Sequence, residues 1–175
     1  ACATANQSLA LGMLSNASAE GATAIGNRSS ASAKDALAIG NMSNVTGCQS
    51  TAIGQNNTVA GANSTVIGRN VKTLSGQIIA LAHDLNLTWA TSSPKSTYIG
   101  HNITGRASSG ATWGFSYSTV IGSNMNFVAN HSSPSGLVNS SVIGNNIKYN
   151  SYRDSYATMV GENLTFKGHS LRYSN

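Results

Sequence analysis

A glycine recurs every fourteen residues through the first part of the chain, and each copy closes the same short apolar segment. Thr-Ala-Ile-Gly, for example, ends at Gly26 and again at Gly54. Ala82 keeps this spacing without the glycine, and later copies follow at wider intervals. A period this short and regular indicates one structural unit stacked on itself. We therefore predict a solenoid rather than the core of a globular enzyme.

Each repeat predicts a strand followed by a tight turn. The residue before the glycine is Leu, Ile or Val in every copy, and the residue two before it is usually Ala or Val. This alternation describes a strand that is apolar on both faces and must be covered on both. The second residue after the glycine is often Asn, with Asp84 in the same column, and both Gly and Asn tolerate positive φ. Stacking would align these amides about 4.8 Å apart as an Asn ladder.

A second, shorter strand is predicted at the third and fifth residues after each glycine. Two strands and two turns are too thin to cover the aliphatic residue before the glycine in a lone chain. Because soluble monomers rarely expose such a stripe, we predict self-association about an axis parallel to the stack. The predicted interface consists of Leu11, Ile25, Ile39, Ile53, Ile67, Leu81, Ile99, Ile121, Ile143 and Val160.

Composition narrows the class of protein further. Only 9% of the residues are charged, which could indicate disorder, but the apolar positions in register favour an ordered chain. The net charge of +5 is scattered and does not alternate with aromatic residues, so nucleic-acid binding is disfavoured. The positive net charge would modestly raise the rate of association with an acidic partner, such as a sialylated or sulfated surface. The sequence contains neither a membrane-spanning apolar segment nor a signal-peptide pattern, and we expect no membrane contact.

The repeating Ser-x-Ala-Ile-Gly-x-x-Ser-x-Ala, seen at residues 22–31 and 36–45, resembles the head repeat of trimeric autotransporter adhesins, in particular the YadA-like head. The resemblance extends over residues 8–166. It implies a left-handed parallel β-roll of about ten coils, assembled as a homotrimer. It also implies a place at the tip of an outer-membrane-anchored fibre on the bacterial surface, with the signal peptide, stalk and anchor in a longer precursor.

The repeat pattern divides the chain into four segments. Residues 1–7 are expected to form an N-terminal cap, and residues 8–87 the regular β-roll. Residues 88–166 continue the roll with loop insertions, and residues 167–175 form a tail toward the stalk. That tail shows neither apolar heptads nor a clear neck motif.

Family resemblance further implies a virulence function without catalysis, namely attachment to a host protein. Members bind collagen, fibronectin, laminin or receptors such as carcinoembryonic-antigen-related adhesion molecules. Binding could use the loops or the regular repeat face, and a passive spacer in the fibre is a further alternative. The insertions bunch together, which favours a globular receptor slightly.

Recognition residues are sought in the insertions, because loops on a rigid scaffold commonly carry function. Trp, Tyr and Arg are enriched at interface hot spots. The alternative is that the aromatic rings lie back on the roll and that the charged side chains are only solvated. The candidate partner-binding residues are Trp89, Lys95, Arg106, Trp113, Phe115, Tyr117 and His131.

The sequence leaves open whether Cys2 and Cys48 form a disulfide. In a regular stack they would lie three coils apart, about 14 Å, which is too far for a disulfide. An N-terminal segment folded back on the roll could still close the bond, as an exported protein would permit.

Two histidines, His83 and His101, share the column after the glycine with Arg69, and would lie about 4.8 Å apart on neighbouring coils. Adjacent imidazoles could hold a metal ion, but a third ligand is not obvious and Arg69 would oppose a cation. Stacked surface turns are therefore favoured, and no metal or cofactor is predicted.

No enzyme motif is found: there is no nucleophile elbow, His-Glu-x-x-His or phosphate loop, and the five acidic residues give no reason to expect a catalytic pair. A β-helix acyltransferase would need longer coils than fourteen residues. An ice-binding Thr array is also disfavoured, because its column is broken at Leu9, Leu37, Ile79 and Ser141. We predict that the chain is not an enzyme.

Overall fold

The computed structural model describes residues 1–88, 95–107, 118–124, 126–129, 141–150, 158–163 and 165–167. Within these residues every regular element is a β-strand. No helix there is long and apolar enough to cross a lipid bilayer. In chain order the strands are β1 Cys2–Ala3, β2 Leu9–Leu11, β3 Asn16–Ala17, β4 Thr23–Ile25, β5 Ser30–Ala31, β6 Leu37–Ile39, β7 Asn44–Val45, β8 Thr51–Gln55, β9 Thr58–Val59, β10 Thr65–Arg69, β11 Lys72–Thr73, β12 Ile78–His83, β13 Asn86–Thr88, β14 Ser96–His101, β15 Thr104–Ala107, β16 Thr119–Ser123, β17 Asn126–Ala129, β18 Ser141–Asn145, β19 Lys148–Asn150, β20 Thr158–Glu162 and β21 Thr165–Lys167.

The strands form two parallel sheets, one on each side of a narrow core. The even-numbered strands make a 10-stranded sheet and the odd-numbered strands an 11-stranded sheet, each in chain order. We call the first the long-strand sheet and the second the short-strand sheet. Each strand pairs with the strands of the coils before and after it, as Ile25 pairs with Ile39. The prediction of an all-β parallel solenoid is confirmed.

Register persists where the repeat interval widens. Leu81 of β12 pairs with Ile99 of β14, although eighteen residues separate them instead of fourteen. Ile99 then pairs with Ile121 of β16 across twenty-two residues. The additional residues therefore lie between strands. The glycine and the aliphatic residue before it stay aligned from coil to coil through the described part of the stack.

The core between the sheets is built from small side chains at the N-terminal end and larger ones further along. Ala24 and Ala38 of the long-strand sheet are fully buried, as is Ala31 of the short-strand sheet. Further along, Leu85 and Tyr98 are fully buried. This burial raises the pKa of the Tyr98 phenol, because the phenolate would lose its hydration.

Asn57 lies where the core changes from serine to aliphatic side chains. Its amide nitrogen donates to the carbonyl oxygens of Ile53, at 3.1 Å, and Gly68, at 2.9 Å. Its side-chain oxygen accepts from the backbone N–H of Val71 at 3.1 Å. One buried amide thus joins consecutive coils, and its polar atoms are satisfied as a buried polar group requires.

Each regular coil contains two turn residues in the left-handed region. Asn56 and Asn70, both second after a glycine, have φ of 55° and 58°. Asn63, five residues before Gly68, has φ of 55°. The predicted Asn ladder is confirmed, since Asn56 Nδ2 donates to Asn70 Oδ1 at 3.0 Å. Further rungs join Asn102 to Asn124 and Asn146 to Asn163.

The recurrent glycine is required by close approach between coils. Gly40 has φ of 121°, and a Cβ built on it would collide with the carbonyl oxygen of Gly54 in the next coil. A side chain at this position would therefore separate adjacent turns, which explains why glycine recurs here; Ala82, which replaces it in β12, does not share the positive φ.

The N-terminal segment continues the stack. Cys2 lies in β1 and pairs with Asn16 of β3, so this segment does not fold back along the roll. Cys2 and Cys48 are both free and exposed. The intrachain disulfide left open by the sequence is therefore absent, because the folded-back arrangement that it needs does not form.

Candidate interaction surface and sheet-edge cluster

The outward face of the long-strand sheet carries a continuous row of aliphatic side chains, one per strand, which we call the aliphatic column. Strand alternation explains the row, since the residue two before the glycine points into the core and its neighbours point out. Leu11 is 60% exposed, Leu81 43% and Val160 66%. All ten residues of the predicted interface lie in this column: Leu11, Ile25, Ile39, Ile53, Ile67, Leu81, Ile99, Ile121, Ile143 and Val160.

A second outward column lies beside the first and is mostly polar. It contains Thr23, Thr51 and Thr65 in register, with Leu9 and Ile79 as exposed exceptions. The face as a whole therefore offers a β surface of threonine and branched aliphatic side chains. An exposed sheet face of this kind can pack against another β sheet.

The first coil is more apolar than the coils that follow. Leu9 and Leu11 are exposed on the sheet, and Met13 and Leu14 are exposed on the adjoining turn. Later coils place mostly polar residues at the corresponding turn positions, with Met42 as the exposed exception. The apolar surface is therefore broadest at the N-terminal end of the roll.

The C-terminal ends of the strands form one side of the long-strand sheet, which we call its edge. There, three basic side chains from β10, β12 and β14 lie above one another, each directly after the glycine position. Arg69 of β10 pairs with His83 of β12, which pairs with His101 of β14. The imidazole rings of His83 and His101 stack with centroids 5.0 Å apart and planes inclined by 5°. Arg69 Nε donates to His83 Nε2 at 2.8 Å, and Arg69 Nη2 contacts the same nitrogen.

Asp84 brings a carboxylate to these basic groups. One carboxylate oxygen, Oδ2, lies 3.2 Å from His83 Nδ1, at ion-pair distance, and the other, Oδ1, accepts a hydrogen bond from Asn70 at 2.8 Å. The bond from Asn70 lowers the pKa of the Asp84 carboxyl, and the charges of His83, Arg69 and His101 act in the same direction. We call Arg69, His83, Asp84 and His101 the sheet-edge cluster.

Two of the seven predicted partner-binding residues lie in the part of the chain that the structure describes. Lys95 is exposed immediately before β14. Arg106, expected in a loop, instead lies in β15 and pairs with Thr88 and Val128 of the neighbouring strands. That placement is a correction: the short-strand sheet extends further along this coil than the two-residue strands of the early repeats suggested. Outside the described residues lie Trp89, Trp113, Phe115, Tyr117 and His131.

Sequence reasoning missed two features of this surface. Asp84 was assigned only to the Asn ladder, although it directly follows His83 and so had to lie beside the imidazole column. Met13 and Leu14 were not recognised as part of an apolar patch, although they are large apolar residues at turn positions that are elsewhere mostly polar. In both cases the alignment of repeats contained the information.

These features define a class of protein: a parallel β-solenoid with an unpaired aliphatic face and asparagine-bearing turns. The family model of the YadA head domain repeat matches residues 3–29, 17–43, 31–47 and 46–70. The chain thus carries YadA head domain repeats, and its resemblance to the heads of trimeric autotransporter adhesins is confirmed. No curated protein matches it significantly.

Proposed function

We propose that this chain is the head of a bacterial surface adhesin, and that three copies assemble as a left-handed β-roll trimer through the aliphatic column. The trimer would stand at the tip of an outer-membrane-anchored fibre and attach to a host receptor or matrix protein without catalysis. The YadA head repeats support the adhesin class.

A single observation supports trimer assembly most strongly, namely the exposure of the aliphatic column along the long-strand sheet. Seven of its ten side chains are at least 37% exposed: Leu11, Ile67, Leu81, Ile99, Ile121, Ile143 and Val160. Burying one branched aliphatic side chain is worth about 1.5–3 kcal/mol when it is complete. Summed along the column, partial burial in each copy gives a substantial driving force for association. A three-fold axis parallel to the stack would bring the three columns together.

The oligomeric state tests this assembly directly. Sedimentation equilibrium of the purified chain should give three times the monomer mass of 17.9 kDa. Ile67→Asp should dissociate or unfold the trimer, because it would bury a charge at the centre of the interface. The matched control is Lys72→Asp, which introduces the same residue on the exposed face of the short-strand sheet in the next turn of the chain. A well-folded monomer at low concentration for the unmodified chain would contradict the proposal.

Ligand binding through the insertions is the favoured mode, and a loop deletion tests it. Deleting residues 109–116 restores the interval between Gly100 and Gly122 from twenty-two to fourteen residues, so the strand register should survive. Loop recognition predicts that binding to host cells or to an immobilised immunoglobulin-like receptor is lost while the trimer remains. Unchanged binding would exclude this loop.

A second binding mode is supported by the short-strand sheet, whose outward residues form a regular polar column. Asn16, Ser30 and Asn44 follow one another in register, and Thr58 and Lys72 continue the row. Such a repeat face suits an extended matrix ligand such as collagen, fibronectin or laminin. It predicts that Asn44→Glu weakens binding to the immobilised matrix protein, whereas deletion of residues 109–116 does not. If neither variant changes attachment, and no ligand binds the unmodified chain, the passive spacer is favoured.

A further inference from the structure

We propose that the sheet-edge cluster binds one divalent transition-metal ion of the zinc class, with His83, His101 and Asp84 as ligands. This proposal is independent of the adhesive function. It rests on two imidazoles from adjacent strands and a carboxylate from the adjoining turn, which converge on the exposed edge of the long-strand sheet.

Convergence of the donors is the first argument. One ligand atom from each of His83, Asp84 and His101 lies within 4.8 Å of the other two. A tetrahedral zinc ion with bonds of 2.0–2.1 Å needs its donors about 3.4 Å apart. Side-chain movements of about 1 Å would bring the donors to that spacing, and such movements are small for partly exposed residues. Water would complete the coordination.

The orientation of His83 is the second argument. Arginine is always protonated, so the two guanidinium nitrogens at His83 Nε2 require that nitrogen to present its lone pair. The ring proton of neutral His83 therefore sits on Nδ1, which faces Asp84 Oδ2 at 3.2 Å. A metal ion shared by His83 and Asp84 would therefore bind at Nδ1 in place of this proton, and the ring proton of His83 would then have to sit on Nε2.

Arg69 is thus the competitor for the site rather than an absolute barrier to it. While it donates to Nε2 it keeps the ring proton on Nδ1, but its side chain is exposed and can rotate into solvent, which would let Nε2 carry the proton and leave the Nδ1 lone pair free for the metal ion. Two imidazoles with one carboxylate suit zinc, nickel or copper better than calcium or magnesium, which prefer oxygen donors. Bound metal would join β12 to β14, the strands on either side of the first widened interval, and would stabilise the base of that insertion.

The experiment titrates tag-free, full-length protein with Zn²⁺ against a chromophoric chelator. We expect one saturable zinc ion per chain, and no comparable binding of Ca²⁺. His101→Asn and His83→Asn should each weaken the affinity at least tenfold, and Asp84→Asn by about tenfold. Arg69→Ser should strengthen it, because the competing cation is removed. His131→Asn and His169→Asn are the matched controls and should leave the affinity unchanged.

A second measurement uses the unmodified chain, so the proposal can be tested even if a variant fails to fold. In protein with isotope-labelled histidine, substoichiometric Co²⁺ should broaden the imidazole signals of His83 and His101 before those of the other two histidines. The proposal is overturned by the absence of saturable zinc binding, by binding that persists in His101→Asn, or by preferential broadening of the control histidines.

Discussion

At the scale of single residues, the coil is determined by positions where backbone geometry excludes most side chains. Gly40 approaches the next coil so closely that a Cβ has no room, and its φ of 121° is unfavourable for any L-residue with a side chain. Turn residues in the left-handed region are tolerated more broadly, since Met42 adopts a φ of 57° where later coils place Asn. The first position excludes a side chain wherever φ is positive and the next coil is in contact, and Ala82 is accommodated there without a positive φ, whereas the second position carries only a modest conformational cost.

Gly40→Ala tests the strict position. We expect a loss of more than about 1 kcal/mol in the free energy of unfolding, because alanine at this φ is strained and its methyl group meets the Gly54 carbonyl. Guanidinium unfolding followed by circular dichroism measures the change. Ser32→Ala, an exposed substitution outside the left-handed region, should change stability by less than about 0.5 kcal/mol. Equal effects of the two substitutions would refute the close-contact explanation.

Met42→Asn tests the tolerant position and should stabilise the fold. Asparagine adopts the left-handed region more readily, and its amide would extend the ladder that begins at Asn56. A gain of about 1 kcal/mol is expected in the same unfolding assay. Met42→Leu retains an unsuitable side chain and should bring no gain. A similar gain from both would show that the ladder is not the cause.

At the scale of strands and coils, the narrow core is held together by polar contacts where side chains are small and by apolar packing where they are large. Ser50 in one coil donates to Gly61 and accepts from the backbone of Ser64 in the next. Asn57 makes the corresponding contacts one turn further along, and Val71 begins the aliphatic part of the column. Buried hydrogen bonds thus couple neighbouring coils in the N-terminal part of the stack, and apolar contacts couple them further along.

Asn57→Ala should reduce stability by about 1–3 kcal/mol, because it leaves the Val71 N–H without its side-chain acceptor in the interior. Hydrogen exchange should show faster exchange of the Val71 amide before global unfolding. Asn44→Ala, on the outward side of the short-strand sheet, is the control and should have little effect on either measurement. Unchanged exchange at Val71 would contradict the coupling role.

At the scale of the whole molecule, stability and association are expected to be inseparable. The long-strand sheet buries its Ala and Val column in the core and leaves its aliphatic column on the outer face. An isolated chain therefore buries only one of the two apolar columns of this sheet. Anything that binds the folded state alone stabilises it by mass action, and partner chains act in this way.

The thermal midpoint should therefore rise with protein concentration in a dilution series, as it does when unfolding is coupled to dissociation. Differential scanning calorimetry measures the midpoint. Lys72→Asp should keep this dependence and Ile67→Asp should lose it, since only the second lies in the aliphatic column. A midpoint independent of concentration in the unmodified chain would mean that the exposed column contributes nothing to stability.

The sequence alone determined the parallel stack, the positions of its strands, the outward aliphatic column and the asparagine ladder. These features follow from repetition, because identical units in register place equivalent residues above one another. Tertiary structure decided what depends on contacts between different columns or on how far a strand extends. It placed Asp84 beside His83 and His101, assigned Arg106 to a strand, and continued the stack through Cys2 instead of folding that segment back. Periodicity specifies the order along a column, but side-chain direction, strand length and chain ends depend on local packing that no repeat encodes.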